Sequence, residues 1–574
     1  MKTQNTIWFG DIEENDLVQE GDFKTFEQIV SSSIQANKFN PSKLSIKDSS
    51  PRIVFITIGE FSVTATVFYG QAQGIMAAFE AAFKKVKERF DCRNKDYIIK
   101  IDIVISARVQ KDCNSSDTIY NFTRGIEGIA FDKASNLAIL PEQISCNFLW
   151  NNNAKMLPER LHNYLENNPP ESHKIDKVLH SNRSSFDVYL FKTKSFVLEK
   201  NNLKIIYRGQ FLFESFSNEN LKESINLAGK YLINSILPNG RYDYIYYVTS
   251  NFSDIDYNFL RHAGTCFSLA EYFEFSNDQE CLPALNRALD YMRLFSVPGL
   301  EDPQTTCFVE RGLATIGSNG LAALALAKYM KVTNDKKDQD LLTRMCNWIL
   351  TQIADDGNFK GHKQRYHTGN YTGSEVLYYP GEVIYGLVMS YNLLKEHKWI
   401  DGANKIANWI ITVRDSDLKP LKLEHDHWML YGLNELYRIT PNQIYIDYTA
   451  KICQAIMNRQ ILESQYPDYL GAHNNNGDPS STQAATRSEG LLAAYKLLKD
   501  FGNMPEFTDK VLEYAKRSVA FQLRTQYTKL NTIYVRNAKK ALGGFRQSIN
   551  SHHIRIDYVQ HNLSSLISLY NLTK

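Results

Sequence analysis

The stretch YYPGEVIYGLVMSYNLLKEHKWIDGANKIANWIITV, residues 378–413, contains two helical patterns of different kinds. The pattern near 381–396 is apolar on all sides, which is typical of a buried helix. The pattern near 399–413 alternates apolar and polar faces, which is typical of a helix with one side in solvent. The stretch therefore predicts an inner helix followed by an outer helix.

The same alternation continues from about residue 220 to the end of the chain. We predict amphipathic outer helices near 220–236, 278–295, 336–354, 399–413, 442–460 and 508–526. We predict more uniformly apolar inner helices near 262–275, 316–332, 381–396, 427–438, 486–500 and 557–571. The period of roughly 60 residues is longer than that of the common solenoid repeats. Residues 216–574 are therefore expected to form a closed all-α (α/α)6 toroid, or barrel.

The first part of the chain has a different pattern, and a chain of 574 residues exceeds the roughly 250–300 residues of a single core. We therefore predict a multidomain protein with an α+β domain at 1–215. Its predicted strands are 52–57, 61–68, 97–109, 186–198 and 203–213, with a turn at Gly59 and a hairpin around 200–202. Residues 72–90 predict a helix, and 151–182 predict a loop or a weakly packed helical segment.

Composition narrows the class of protein. Lys and Arg number 65 and Asp and Glu 63, so a formal charge of +2 provides no overall field for nucleic acid or an anionic membrane. The sequence has no apolar run near the roughly 18 residues of a membrane span and no signal-peptide pattern. The eight cysteines are scattered without a CxxC pair, which argues against a disulfide scaffold and a thiolate zinc site. We expect a cytoplasmic protein.

The expected site follows from the toroid. Inner helices that run the same way bring the loops before them to one end of the barrel, and these loops are long and rich in Tyr, His, Asp, Glu and Arg. The predicted catalytic residues open inner helices or lie one turn later: Glu382, Asp426, Glu489, Asp557 and His561. The predicted substrate-binding residues are His262, Arg311, Arg365, Tyr378, Tyr379, His427, Trp428, Arg487, Arg555 and Tyr558.

Each of the four carboxylates could instead be a helix cap, because acids stabilise the first turn of a helix. Capping does not account for the Arg, His and Tyr residues beside them, so the set favours a functional site. Neither His425 with His427 nor His552 with His553 has the i,i+4 spacing of a helical metal site, and we predict no metal and no cofactor. Aromatic rings can stack on sugar faces, and carboxylates can bond sugar hydroxyl groups. The composition of these loops therefore favours a saccharide as the ligand.

Two motifs carry a resemblance to known proteins. The turn ADDGNF at 354–359 and YYPGE at 378–382 resemble the six-hairpin glycosidase and sugar-epimerase superfamily, over about 220–574. More narrowly, 379–395, 426–438 and RIDYVQHNLSSLISL at 555–569 resemble the C-terminal domain of glucuronyl C5-epimerases. That family also ends with an Asp-Tyr-x-x-His helix, and the resemblance implies a role for Asp557, Tyr558 and His561.

The N-terminal part resembles the AMMECR1 domain more weakly. The resemblance rests on RGIEGI at 124–129 followed by LPE at 140–142. The hexapeptide Leu-Arg-Gly-Cys-Ile-Gly of that family has no match in this chain, so the resemblance implies a fold and no chemistry.

The expected function is acid/base chemistry on an anionic oligosaccharide or polysaccharide. One carboxyl would protonate a leaving oxygen while a second activates water, or a Tyr, His or Glu would remove the proton next to a uronate carboxylate. Helix N-termini and arginines, Arg487 and Arg555 among them, favour an anion. The alternative is a non-catalytic toroid that binds a glycan or peptide, with an N-terminal domain that recruits a partner. The sequence predicts no nucleic-acid or membrane partner and leaves the oligomeric state open.

Overall fold

The computed structural model describes residues 7–12, 20–41, 46, 48–114, 117–131, 137–167, 185–473 and 477–574. The chain divides into two compact units. Unit 1 comprises residues 1–212, 248–251 and 527–542, and unit 2 comprises residues 213–247, 252–526 and 543–574. The first change of unit lies close to residue 215, whereas the two later segments of unit 1 were not predicted from the sequence.

Unit 1 is built on one antiparallel sheet in the order β2-β1-β3-β6-β4-β5, with β7 paired to β6. Its strands are β1 (Pro51–Glu60), β2 (Thr66–Gln73), β3 (Tyr97–Cys113), β4 (Glu127–Ala130), β5 (Ala138–Ile139), β6 (Phe186–Glu199) and β7 (Asn202–Ile206). Its helices are α1 (Glu20–Ala36), α2 (Ile75–Lys87), α3 (Pro141–Asn147), α4 (Pro158–Asn167) and the short α16 (Ala538–Ala541), which is numbered by its place in the chain. Apolar residues of β1 and β3 pack against α1 and α2 in its core.

The order of strand, strand, helix at 51–87 agrees with the prediction, but its boundaries differ. Gly59 lies inside β1, where it pairs with Ile98, and the turn follows at 61–65. Ala72 still belongs to β2, and α2 begins after Gly74, whose φ of +85° suits glycine. Strand β7 ends at Ile206, well before residue 213. For 151–182, where a loop or a weakly packed helical segment was predicted, the structure has the helix α4 at 158–167, and residues 168–182 lie outside the described part.

Unit 2 is a closed double ring of helices. The inner helices are α6 (Phe259–Ser276), α8 (Ile316–Thr333), α10 (Tyr379–Leu394), α12 (His427–Tyr437), α14 (Ser481–Phe501) and α17 (Ile556–Thr573). Each packs against the next, and α17 packs against α6, which closes the ring. The outer helices are α5 (Asn218–Ser235), α7 (Cys281–Arg293), α9 (Gln339–Thr351), α11 (His397–Trp409), α13 (Gln443–Met457) and α15 (Pro505–Thr525). This is the predicted (α/α)6 arrangement.

The inner helices approach one another closely where glycines face a neighbouring backbone. A Cβ on Gly386 of α10 would lie 2.4 Å from the carbonyl oxygen of Gly320 on α8. All residues of α8 from Ile316 to Met330 are buried, which explains why its sequence is apolar on every side. The closely packed ring holds the first turns of its helices in fixed positions.

The connections at the two ends of the ring differ in length. Inner helices pass to outer helices through short turns such as 277–280 and 395–396, and outer helices pass to inner helices through long segments such as 352–378 and 458–480. Two small sheets stiffen the long segments, one with the order β10-β11-β12-β13 and one with the order β14-β8-β9. Their strands are β8 (Ile245–Tyr247), β9 (Phe252–Asp254), β10 (Ser296–Pro298), β11 (Thr306–Glu310), β12 (Leu313–Thr315), β13 (Lys363–Arg365) and β14 (His553–Arg555).

Helices long and apolar enough to cross a membrane are absent from the described part of the chain.

Candidate active site

A cavity of about 320 Å³ lies in unit 2 where the inner helices begin. Every inner helix contributes to its wall, α8 through Leu321 alone and the others through residues in or just before their first two turns. The lining residues are Leu260, Arg261, Leu321, Leu377, Tyr378, Glu382, Glu424, His425, Asp426, His427, Trp428, Thr482, Gln483, Thr486, Arg487, Asp557, Gln560 and His561. The volume falls within the range of about 300–1,000 Å³ that is usual for small-molecule sites.

Two buried carboxyl groups, Glu382 and Asp426, lie on one side of the cavity. Glu382 is in the first turn of α10, 1% exposed, and its Oε2 has no hydrogen-bond partner among the described residues. Burial and the nearby Asp426 carboxylate raise the pKa of Glu382 well above its usual value. Burial also raises the pKa of Asp426 to about 7, although the Met429 amide and Arg414 oppose this. The pair therefore holds a proton at neutral pH.

The backbone explains how these two carboxyl groups come together. Asp426 is the N-cap of α12 and accepts a hydrogen bond of 3.1 Å from the Met429 amide, as the sequence predicted for a capping residue. Pro380 occupies the first turn of α10, where its missing N–H costs nothing. A Cβ on Gly381 would lie 2.8 Å from Asp426 Oδ2, so glycine allows α10 to start beside the cap of α12.

Two histidines and a glutamate form a second group in the same site. His561 Nδ1 lies 2.8 Å from Glu489 Oε2, and His427 Nε2 lies 3.9 Å from the same oxygen. Burial raises the pKa of Glu489 to about 7, with His561 acting in the opposite direction. Burial, His561 and Arg487 lower the pKa of His427 well below its usual value. His427 is therefore held as a neutral imidazole.

Asp557 is held by two guanidinium groups and differs from the other three acids. Arg555 Nε lies 2.5 Å from Asp557 Oδ1, and Arg261 Nε lies 3.2 Å from Oδ2. Arg261 also donates to the Tyr244 hydroxyl at 2.7 Å. Charge-assisted contacts of this kind stabilise the carboxylate form and fix its orientation. Asp557 therefore lines the cavity as a fixed negative charge.

Aromatic side chains border the cavity in two ways. Trp428 is 2% exposed and packs between the rings of His427 and Tyr431, so it forms part of the wall. Tyr378 is 47% exposed and meets the buried Tyr379 edge to face. Tyr378 is therefore the aromatic lining residue with a free face for a ligand ring.

The structure does not bring all of the predicted binding residues to the cavity. His262 is fully buried and bonds the Tyr257 hydroxyl at 2.6 Å and the Ala288 carbonyl at 2.9 Å, which satisfies both ring nitrogens. Arg311 and Arg365 are exposed, the first in the turn between β11 and β12 and the second on β13.

Three further predicted binding residues lie behind the cavity wall. Tyr379 stacks on His362, Tyr558 is buried with its hydroxyl 3.2 Å from His553 Nε2, and Arg555 is occupied by Asp557. These contacts give the three side chains a supporting position.

Several lining residues were not predicted as site residues. Helix α14 begins at Ser481 and not near 486, so Thr482 and Gln483 lie in its first turn and face the cavity. Gln560 precedes His561 on α17. The signal that could have revealed the earlier start is Pro479-Ser480-Ser481, because serines are favoured at the start of a helix.

The prediction of no metal site rested on residues that lie close together in sequence, such as pairs of histidines and CxxC pairs. In the part of the chain that the structure describes, one group of side chains could hold a metal ion: His427, Glu489 and His561, whose ligand atoms all lie within 4.8 Å of one another. Two imidazoles and a carboxylate are ligands that zinc accepts. The three residues come from α12, α14 and α17, so their spacing in sequence gives no sign of the group.

Comparisons with known proteins found similar solved structures at low sequence identity. No protein-family model matches the chain, and no curated protein matches it. Cellobiose 2-epimerase from Bacillus thermoamylovorans covers 62% of this chain with 99% of its own, at 11% identity and a TM-score of 0.49.

Two hydrolases give similar values. An unsaturated glucuronyl hydrolase specific for heparin covers 62% of this chain with 98% of its own, at 13% identity and a TM-score of 0.46. The GH76A α-1,6-mannanase of Salegentibacter sp. HEL1_6 covers 62% of this chain with 100% of its own chain, at 13% identity and a TM-score of 0.45. The more specific resemblances, to glucuronyl C5-epimerases and to the AMMECR1 domain, stay predictions.

Proposed function

We propose that the protein is a carbohydrate-active enzyme that performs acid/base chemistry on a saccharide bound in the cavity of unit 2. The observation that carries this proposal is that one cavity combines two groups of opposite function. The carboxyl pair Glu382 and Asp426 holds a proton, and in the second group the imidazole of His561, oriented by Glu489, can accept one.

The carboxyl pair is the proposed proton donor. Two carboxyl groups in a buried site cannot both be charged without a large cost, so they retain a proton at a pH where isolated acids lose it. General acids need a pKa near the working pH, and that of Asp426 is raised to about 7. Glu382 Oε2, without a protein partner among the described residues, is free to bond a substrate oxygen.

The imidazole group is the proposed proton acceptor. Glu489 accepts a hydrogen bond from His561 Nδ1–H in the proposed arrangement, which leaves His561 Nε2 with a lone pair. His427 is kept neutral by burial and by the neighbouring His561. An imidazole oriented by a carboxylate is a common general base because the carboxylate stabilises the imidazolium that forms.

A saccharide is the substrate class that the wall of the cavity supports. Tyr378 offers a ring face at the rim, and the polar side chains of Gln483, Thr482 and Gln560 can bond hydroxyl groups. The reaction can take two forms in this site. In hydrolysis, the acid protonates the glycosidic oxygen as the C–O bond breaks, and the imidazole takes a proton from the attacking water. In epimerisation, the imidazole removes a C–H proton next to a carbonyl or carboxylate, and the carboxyl pair returns one to the other face.

The test is a saccharide library incubated separately in D2O and in H2 18O, with products followed by mass and NMR. Hydrolysis places 18O at a new reducing end, and epimerisation places deuterium on a ring carbon. Either result that disappears in Glu382→Gln and persists in Glu506→Gln supports the proposal. Glu506 is a matched control because it is an exposed acid in the first turn of α15. Binding without incorporation of either isotope would favour the non-catalytic toroid.

Activity after prolonged treatment with EDTA tests the metal alternative. We expect full activity, because the proposed chemistry needs protein groups alone. Loss of activity that Zn²⁺ restores would assign His427, Glu489 and His561 to a metal ion.

A further inference from the structure

Three side chains, two of them in the cavity wall, have buried nitrogens without a hydrogen-bond partner among the described residues. Both ring nitrogens of His425, both ring nitrogens of His473 and the Nε of Arg487 are buried without a hydrogen-bond partner among the described residues. His425 and Arg487 line the cavity, and both act electrostatically on His473. A buried polar group without a hydrogen-bond partner destabilises the fold, so a cluster of such groups indicates a missing partner.

We propose that Arg487, His425 and His473 form a subsite for one oxyanion substituent of the substrate, such as a carboxylate or a sulfate. This inference rests on the proposed function and names the substrate class, an anionic saccharide. All three residues can supply N–H donors: an imidazole in either protonation state carries at least one N–H, and a guanidinium carries five and no acceptor. An anion with several acceptor oxygens could accept the Arg487 Nε–H and one ring N–H from each histidine.

The position of Arg487 explains why it, among the arginines near the cavity, is assigned to the ligand. Its Nη1 donates to Thr486 Oγ1 at 3.0 Å, and no ion pair among the described residues involves it. The nearest carboxylate, Glu424, acts on it only at longer range and is exposed to solvent. A planar guanidinium is well suited to a carboxylate or sulfate because two parallel N–H groups can bond two oxygens.

Two other arginines near the cavity, Arg261 and Arg555, are already paired with a carboxylate. Arg261 and Arg555 both contact Asp557, at 3.2 and 2.5 Å. The sequence predicts both Arg487 and Arg555 as anion-binding residues. The contacts separate them: Arg487 is assigned to the ligand, and Arg555 to holding Asp557.

The test measures binding by calorimetry, without turnover, using sodium D-glucuronate and its neutral amide D-glucuronamide at 20 and 300 mM NaCl. We expect wild-type protein to bind glucuronate at least tenfold more tightly than glucuronamide at low salt, with the difference reduced at high salt. Arg487→Gln should remove the difference. Arg517→Gln should retain it, because Arg517 lies on α15 and pairs with Glu513 on the outside of the ring.

A second pair of measurements keeps the inference testable if Arg487→Gln fails to fold. The affinity of wild-type protein for glucose 6-sulfate, compared with that for glucose, tests the site with the other oxyanion. His425→Phe should weaken the binding of both glucuronate and glucose 6-sulfate at least threefold. Equal binding of charged and neutral probes by the wild type, or no binding of any anion at 20 mM, would overturn the subsite.

The failure of this inference and that of the proposed function are distinguishable. Turnover of a neutral saccharide without a preference for anions would retain the enzyme and remove the subsite. An anion preference that depends on Arg487, in a protein that turns over no saccharide, would retain the subsite and remove the enzyme.

Discussion

At the scale of single residues, Asp426 combines a structural role and a proposed chemical role that two substitutions can separate. As N-cap it bonds the Met429 amide, and as a buried acid it has a pKa raised to about 7. Asparagine is also a good N-cap but cannot donate a carboxyl proton. We therefore expect Asp426→Asn to keep the melting temperature within about 1 °C and to lower kcat by about 10²–10⁴-fold, the usual contribution of a general acid.

Asp426→Ala is the matched variant because it loses the cap as well. It should lower the free energy of unfolding by about 0.5–2 kcal/mol, as removal of an N-cap usually does. Thermal unfolding and initial rates on the same preparations measure both effects. If Asp426→Asn retains full activity while Asp426→Ala loses only stability, Asp426 is a cap and the proposed acid must be Glu382 alone.

The two groups of titratable residues also predict how activity depends on pH. Burial raises the pKa of Glu489 to about 7, so Glu489 becomes protonated as the pH falls below 7 and loses the charge that supports a protonated His561. Asp426, also near 7, loses its proton as the pH rises. We expect kcat/KM to follow a bell-shaped curve with its maximum near pH 7.

The acid limb of that curve can be assigned with Glu489→Gln. The amide oxygen can still accept a hydrogen bond from His561, but the side chain no longer titrates. Rates measured from pH 5 to 9 should show a lower maximum and no acid limb in this variant. An acid limb that stays in place would assign it to a group other than Glu489.

These residues also illustrate how much of the site the sequence could predict. Asp426, His427, Glu382 and Asp557 could be found because each opens an inner helix, and such residues converge when the ring closes. His473 could not, because it lies in a loop that pairs with Gln460 and no local pattern indicates which loop residues turn inward. The pairing of Arg555 with Asp557 is local in sequence, but the contribution of Arg261 depends on α17 packing against α6.

At the scale of elements, helix type was easier to predict than helix ends. All six inner helices are buried along their length, so their apolar sequences were decisive. The start of α14 was placed five residues late because Ser481, Thr482 and Gln483 are polar. Their polarity has a simple reason in the structure, since Thr482 and Gln483 line the cavity. A prediction from the hydrophobic pattern alone therefore assigns such a first turn to a loop.

The contact between α8 and α10 gives a prediction about stability. A Cβ on Gly386 would lie 2.4 Å from the Gly320 carbonyl oxygen, a backbone atom that cannot move without shifting a helix. We expect Gly386→Ala to lower the free energy of unfolding by about 1–3 kcal/mol, although alanine is the better helix former. Urea unfolding measures the change. Lys405→Ala on the exposed side of α11 is the control and should stay within about 0.5 kcal/mol. If Gly386→Ala leaves the free energy of unfolding unchanged or raises it, the two helices can separate without cost.

At the scale of the whole molecule, the division into units does not follow the chain simply. Residues 527–542 come between α15 and α17 in sequence but belong to unit 1. There Tyr534 bonds the Thr57 hydroxyl at 2.7 Å, and its ring lies 5.7 Å from Lys100 Nζ. Lys100 is itself buried with Asp102 and Glu142. The change from strand to helix patterns near 215 marked the first boundary, whereas a short segment without its own pattern gave no sign of belonging to unit 1.

This arrangement determines how a test of independent folding must be made. A fragment that simply begins at Phe213 keeps residues 527–542, including Tyr534, without the strands of unit 1 that surround them. Gln526 Nε2 donates to the Gly543 carbonyl at 3.2 Å, so the two ends of the segment lie side by side. Residues 527–542 can therefore be replaced by a short Gly-Ser linker without moving α15 or α17.

We expect residues 213–526 joined by such a linker to 543–574 to be a soluble, monodisperse helical protein with cooperative thermal unfolding. The physical reason is that each inner helix packs against two others of the same unit, so the ring closes without residues from unit 1. Circular dichroism and size-exclusion chromatography measure the outcome, with the uncut fragment 213–574 as the comparison. The uncut fragment should aggregate more, because it exposes the apolar side chains of 527–542. Substantial strand signal in the joined protein, or insolubility that coexpression of residues 1–212 relieves, would contradict an independently folding ring.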